Sequence, residues 1–163
     1  MSRYRPPAAR KSPYVTPEGK RRLLDEQKAL WLRRREVVTA LSAAAAEGDR
    51  SENAEYIYRK KELREIDSRI RYLQKRLPDL NVVDQKPASF ERVYFSATVT
   101  LEDENESRVT YRIVGPDEFD QARHYISVDS PLARSLLKRE AGDEIVVEVP
   151  NGRLVYYIVD IAY

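Results

Sequence analysis

The sequence predicts an α+β protein, with an N-terminal antiparallel coiled-coil helical hairpin followed by a small antiparallel-sheet domain that carries one short helix. Three observations lead there. Apolar residues recur at steps of three and four along two long stretches before Pro78, and at steps of two from Val93 onward, so the period changes from helix to half-buried strand. The two helical stretches are joined by only a few residues around Gly48, a connection so short that the helices must run antiparallel. Charged residues make up 34% of the chain while its formal net charge is only +2, which fits long solvated helix faces better than a simple polyanion binder.

The chain divides into a basic Arg/Pro-rich arm over residues 1–14, the hairpin over 15–79 and the C-terminal domain over 80–163. The arm has too few apolar residues to order itself and is expected to be disordered. Thr16-Pro17-Glu18 then supplies a helix start: a hydroxyl to cap free N–H groups, a proline at the first helical position, and an acid near the positive end of the dipole. Leu23, Gln27, Leu30, Arg34, Val37, Leu41 and Ala44 form the seam of the first helix, with Leu24, Trp31, Val38 and Ala45 widening its apolar stripe. Gly48 is its expected stop. Tyr56, Arg59, Leu63, Ile66, Ile70, Leu73 and Leu77 repeat the spacing in the second helix, which Pro78 ends. The polar seam residues Gln27, Arg34 and Arg59 weaken the pairing and fix its register. A helix of roughly thirty residues extends about 45 Å, a length that implies reaching for something.

In the second domain Val93, Phe95, Ala97, Val99 and Leu101 alternate with polar or exposed neighbours as one strand, and Val109, Tyr111 and Ile113 repeat the pattern after an acidic turn. Tyr125–Val128 forms the next strand. Ser130-Pro131 caps and opens a short helix with Leu132, Leu136 and Leu137. Strands over Glu144–Val149 and Arg153–Ile161 flank Asn151-Gly152, a hairpin turn in which both residues tolerate positive φ.

Composition excludes several classes of chemistry. Without cysteine there is neither a disulfide framework nor a thiolate metal site, and the single histidine, His124, rules out a multi-histidine zinc site. No stretch resembles a signal peptide or approaches the length needed to span a bilayer, which implies no membrane partner and a cytoplasmic location. Two basic runs, Arg33-Arg34-Arg35 and Arg59-Lys60-Lys61, are either RNA or DNA contacts or simply solvated helix faces.

The connection between the helices carries the sharpest chemistry. Asp49 and Glu52 stand three apart, a spacing that lets both carboxylates face one side of a turn and hold one hard cation such as Mg²⁺. Two carboxylates are too few for an ion that needs six oxygens, so a partner or a substrate phosphate would have to complete the set. The competing explanation is structural: an Asp followed three residues later by Glu at a helix start is also an N-cap with a reciprocal acid.

The run Gly48-Asp49-Arg50-Ser51-Glu52-Asn53-Ala54-Glu55-Tyr56, with Lys60-Lys61-Glu62-Leu63-Arg64-Glu65-Ile66-Asp67 after it, resembles the tip and second helix of the bacterial Gre transcript-cleavage factor family, and its GreB branch most closely. Tyr111-Arg112-Ile113-Val114-Gly115, Ile126-Ser127-Val128-Asp129-Ser130-Pro131-Leu132-Ala133-Arg134 and Gly142-Asp143-Glu144 resemble the family's C-terminal signatures, so the likeness spans nearly everything after Tyr14. It implies an FKBP-like second domain docked at the rim of RNA polymerase's secondary channel, and a hairpin that threads the channel. Asp49 and Glu52 would then help hold the second Mg²⁺ of the polymerase active centre, shared with the polymerase rather than bound tightly by this chain alone, and serve cleavage of backtracked RNA. By the same resemblance Asn53, Glu55 and Tyr56 serve tip conformation and positioning, although Tyr56 fits a hairpin core position equally well. Asp129, Ser130 and Pro131 match the polymerase-binding segment. The implied partners are bacterial RNA polymerase and the 3′ segment of the backtracked RNA, and the implied state is a monomeric accessory factor, not an enzyme. The alternative is a channel-binding inhibitor without cleavage activity. One departure from the family pattern is Arg35, at a place where a mid-helix proline is expected; its presence predicts a straighter first helix.

Overall fold

A computed structural model describes residues 7–48 and 53–163 of the chain. Its contacts divide it into two compact units, one of Lys20–Leu80, the other combining the residues up to Gly19 with Asn81–Tyr163.

The first unit is the hairpin. Helix α1 runs over Pro17–Ala45 without a break at Arg35, and α2 over Ala54–Arg76, followed by one 3₁₀ turn, Leu77–Asp79, in which Pro78 stops the α-helical bonding. Facing partners rise along one helix as they fall along the other: Lys20 donates to the Leu77 carbonyl at 2.9 Å, Arg69 reaches Glu26 at 2.6 Å, Arg33 reaches Glu62 at 2.8 Å, and Asn53 donates to the Ala44 carbonyl at 2.8 Å. That is an antiparallel pair. One apolar cluster within it joins Val37, Ile66 and Ile70, with Leu30 and Leu63 packed against them, all at positions the three-and-four spacing selects. The wider stripe departs from expectation. Leu24 and Trp31 remain 40% and 43% exposed, because two helices alone cover only the narrow seam between them.

Thr16 caps α1 as its sequence implies, accepting the Gly19 N–H at 3.1 Å on its hydroxyl. Ser12 to Val15, just before it, are held in place, and the first turn of α1 up to Gly19 groups with the second unit. Ser12 donates both its backbone N–H, at 2.8 Å, and its hydroxyl to Asp129, and β1 (Tyr14–Val15) pairs in parallel with β2 (Asn81–Val82). The end of the basic arm is thus held by backbone pairing and a carboxylate, neither of which needs an apolar side chain.

The second unit is built on a five-stranded sheet made of β3 (Thr98–Asp103), β4 (Arg108–Val114), β5 (Tyr125–Ser127), β6 (Glu144–Val149) and β7 (Gly152–Ala162), in the order β5-β4-β3-β7-β6. Three neighbouring pairs are antiparallel; β4 and β5 run parallel, so the sheet is mixed rather than wholly antiparallel. The connection Gly115–His124, with its own 3₁₀ turn at Pro116–Glu118, is long enough to return the chain to the end of the sheet where β4 began. The short helix α3 (Pro131–Leu136) buries Ala133 and Leu136 against Val99, Leu101, Ile113, Ile145 and Ile158. The first strand starts later than its alternation suggests. Val93 and Ala97 are fully buried, yet Ser96 takes φ of 72° and Ala97 closes a turn onto Tyr94, so the ladder begins only at Thr98. The β6–β7 turn also differs: Val149 pairs with Gly152, making Pro150-Asn151 the loop. Proline fixes a negative φ at the first loop position, which excludes a type I′ turn and leaves the positive φ, 134°, to Gly152 alone.

Among the described residues no helix is long and apolar enough to cross a membrane.

Candidate functional site

Asp49 and Glu52 both lie outside the described residues, while the residues at the two ends of their connection are described. Helix α1 gives out at Ala45, with Ala46 and Glu47 still bonded back to Ala43 and Ala44. Helix α2 starts at Ala54, and its N-cap is Asn53, in extended conformation, whose side-chain oxygen accepts the Tyr56 N–H at 3.1 Å. The amide nitrogen of the same side chain donates to the Ala44 carbonyl at 2.8 Å. One residue therefore satisfies orphan groups on both helix ends and ties them together.

The cap of α2 is thus Asn53 and not Asp49. Glu55 sits in the first turn of α2, where its charge favours the helix N-terminus, and accepts from Arg59 at 2.8 Å. Tyr56 is half-buried at the seam with the Lys60 ammonium 5.8 Å from its ring centre, an arrangement that serves packing and leaves a polar edge.

The basic runs split in two. Arg33 is bonded to Glu36 and Glu62, Arg34 to Asp67, and Arg59 to Glu55 and Glu62, while Arg35, Lys60 and Lys61 are exposed. Glu36 and Glu62 raise the Arg33 pKa, and Glu55 and Glu62 raise that of Arg59. Partial burial at the seam pushes Glu62 up, but the hydrogen bonds and charges of Arg33 and Arg59 outweigh it and hold the carboxyl below its ordinary range.

In the second unit Asp129, Ser130 and Pro131 occupy the link between β5 and α3. Asp129 accepts from Ser12, and its own N–H donates to the Ser127 hydroxyl at 3.1 Å. Ser130 caps α3, accepting the Ala133 N–H at 3.2 Å, which leaves Pro131 as the exposed member of the three. Pro131 and Leu132 border an apolar groove whose other walls include Tyr111, Ile126, Val149 and Leu154. Sequence reasoning missed that groove because its walls come from separate strands; the one available signal is Leu154, an apolar residue beside a hairpin turn, which stays 43% exposed.

Also missed is a buried carboxylate. Glu118 accepts the Thr16 N–H at 3.0 Å, the Thr16 hydroxyl and the Gly115 N–H at 2.8 Å, and so fixes the entry to α1 onto the connection after β4. Gly19 and Gly115 permit it: a Cβ on the first would lie 1.9 Å from a Glu118 oxygen, and one on the second 1.9 Å from the Tyr14 carbonyl oxygen. His124 is an exposed loop residue, its Nδ1 lying 3.2 Å from the Thr110 carbonyl.

Two family models cover almost the whole chain, "Transcription elongation factor, N-terminal" over residues 13–82 and "Transcription elongation factor, GreA/GreB, C-term" over 87–163. The chain is 56% identical over 164 residues to transcription elongation factor GreB of Pseudomonas aeruginosa, with 100% of this chain and 98% of the relative aligned. It is 55% identical over 165 residues to the GreB of Xanthomonas axonopodis pv. citri, covering 100% and 98% of the two chains. Against the GreB of Yersinia pestis it is 53% identical over 154 residues, 94% of this chain and 90% of that one.

Proposed function

Because this chain belongs to the GreA/GreB family of transcription elongation factors, we propose that it acts on bacterial RNA polymerase by entering the secondary channel and stimulating the polymerase's own cleavage of backtracked RNA. It is an accessory factor; the enzyme is the polymerase. The observation that supports the reading is the capping of α2 by Asn53, which gives the N-cap position to a residue other than Asp49.

Two carboxylates are a donor set of hard oxygens that suits Mg²⁺ and falls well short of enclosing it. Asp49 and Glu52 would hold the ion jointly with the polymerase active centre, where it supplies stabilisation of the attacking and leaving oxygens in phosphodiester hydrolysis. The chain's own part is placement. Asn53 fixes both helix ends beside the carboxylates, Glu55 and Tyr56 pack the first turn that follows, and the exposed Lys60 and Lys61 attract the phosphates of the extruded RNA 3′ segment. On the second unit, Pro131 and the apolar groove beside it offer a docking surface for the polymerase rim. The factor works as a monomer, in the cytoplasm where the polymerase does.

The test uses Asp49→Asn and Glu52→Gln in a stalled, backtracked elongation complex, reading RNA shortening and polymerase binding side by side. Cleavage should fall at least about 10²-fold with binding retained, the usual size of a lost electrostatic contribution at a reacting centre. Near-normal cleavage by Asp49→Asn would return that residue to a capping role, which Asn fills well, and would overturn the mechanism. The protein alone should not cut RNA.

A further inference from the structure

The two flanks of the hairpin seam are built differently. On one, Glu26 and Arg33 of α1 pair with Arg69 and Glu62 of α2 at 2.6 and 2.8 Å, so charges close the edge. On the other, the equivalent row of α1 is Leu24, Trp31 and Val38, at heptad spacing, with Leu24 40% and Trp31 43% exposed. An antiparallel pair covers itself with its two seam rows. A third apolar row is the pattern of a helix that meets a further partner.

What faces that row identifies the partner's chemistry. Trp31 sits over a groove floored by Ile70 and rimmed by Arg64 and Arg71 of α2. Both arginines are exposed, and neither has a hydrogen-bond or ion-pair partner among the described residues, unlike Arg34 in the same groove, which Asp67 holds at 2.7 Å. Two turns of helix separate the two guanidinium-bearing residues by about 10 Å, the spacing of carboxylates one heptad apart on a facing helix. A nucleic-acid strand fits less well: it would use the arginines and a single stacked base, and leave Leu24 and Val38 without purpose.

We propose that this flank docks an acidic amphipathic helix of the polymerase, with apolar side chains on the Leu24–Trp31–Val38 row and carboxylates on Arg64 and Arg71. The inference rests on the reading that the hairpin enters the polymerase channel. It adds a second protein contact, on the hairpin itself, to the one expected at Pro131. Tryptophan and arginine at the centre of a desolvated patch are the residues that dominate interface energies.

The experiment measures binding of the labelled full chain to purified core polymerase for the parent, Trp31→Ala, and the double variant Arg64→Glu/Arg71→Glu. The arginines are exposed, so the double variant keeps its fold even if Trp31→Ala does not, and circular dichroism checks both. Each should weaken binding about tenfold or more, since loss of an interface anchor typically costs that much. A photo-reactive benzophenone residue in place of Leu24 should cross-link to a polymerase segment in which acids and apolar residues alternate at helical spacing. Parent-like affinity of the folded double variant would overturn the proposal, as would a cross-link to RNA or to a second copy of this chain. If the parent itself fails to bind polymerase, the reading of function above falls, and this one with it; loss of this proposal alone leaves parental binding intact.

Discussion

Replacing Glu118 by alanine is expected to release the segment that leads into the hairpin. Thr16 is 1% and Glu118 7% exposed, so water does not reach their bonds. Alanine would leave two buried N–H groups, those of Thr16 and Gly115, and the Thr16 hydroxyl without their acceptor. A buried donor left orphaned costs about 1–3 kcal/mol, so the two amides together cost on the order of 2–6 kcal/mol, towards the low end if a water enters the space vacated. Glu118→Gln is the informative contrast. Its oxygen can still accept from both amides while its nitrogen donates to the Thr16 hydroxyl oxygen, so the loss is the charge and one hydroxyl proton, about 1–2 kcal/mol. Gly19→Ala should behave like the alanine variant, because the new methyl would stand 1.9 Å from a carboxylate oxygen and 2.5 Å from the Glu118 Cγ. Residue-resolved amide exchange is the measurement: the Thr16, Gly19 and Gly115 amides should lose protection in Glu118→Ala and largely keep it in Glu118→Gln, with amides near Val37 and Ile66 unchanged. Equal effects of alanine and glutamine would show that the amides find other acceptors, and the reasoning would be wrong.

Three further outcomes are expected. Asn53→Ala should cost about 1–2 kcal/mol of hairpin stability through loss of a cap, and more than a cap alone if the bond to Ala44 matters, read by thermal unfolding with Trp31 fluorescence as the reporter. The Glu62 carboxyl is depressed in the folded state, so its contribution is present above the ordinary glutamate range, near pH 4.3, and is lost as pH falls through the lower folded value; Glu62→Gln should flatten the acid side of the hairpin's stability curve. Deleting one heptad from α1 and the facing heptad from α2 keeps the seam in phase and shortens the hairpin by about 10 Å; competition binding to polymerase should survive while transcript cleavage disappears, and full cleavage by a folded short variant would refute a reaching mechanism.

The parts of this fold that were legible are those set by local periodicity. Val37, Ile66 and Ile70 lie where three-and-four spacing puts them, and Thr16, Ser130 and Pro78 act as the start and stop signals their chemistry implies. What escaped depends on distant partners. Glu118 meets Thr16 from 102 positions away, and Asp129 meets Ser12 from 117, so no window of sequence contains either pair. The direction of β5 depends on where the connection after β4 travels, which alternation within a strand does not encode. For the candidate site, the sequence supplied the two carboxylates and their alternative as a cap, while the bonds of Asn53 to both helix ends, which assign it the cap of α2, depend on how the two helices meet.

The polar residues on the hairpin seam acquire their meaning from that same geometry. Ion pairs such as Arg33–Glu62, Arg34–Asp67 and Arg69–Glu26 are partly exposed, and each contributes little to stability. Their value lies in being broken together. An apolar seam that repeats every heptad tolerates a slip of α2 against α1 by one heptad almost as well as the native register, since leucine and isoleucine would again meet leucine and valine. Such a slip separates all three pairs at once, takes Asn53 away from the Ala44 carbonyl, and shifts the helix ends by about 10 Å, a distance the connection from Ala46 to Asn53 would have to absorb. Groups at a reacting centre lose their effect when displaced by about 1 Å. A hairpin held by apolar contacts alone would therefore be stable and still inaccurate at its tip; arginines at the seam give up some stability for a single register, which the proposed delivery of Asp49 and Glu52 to another protein's active centre would require.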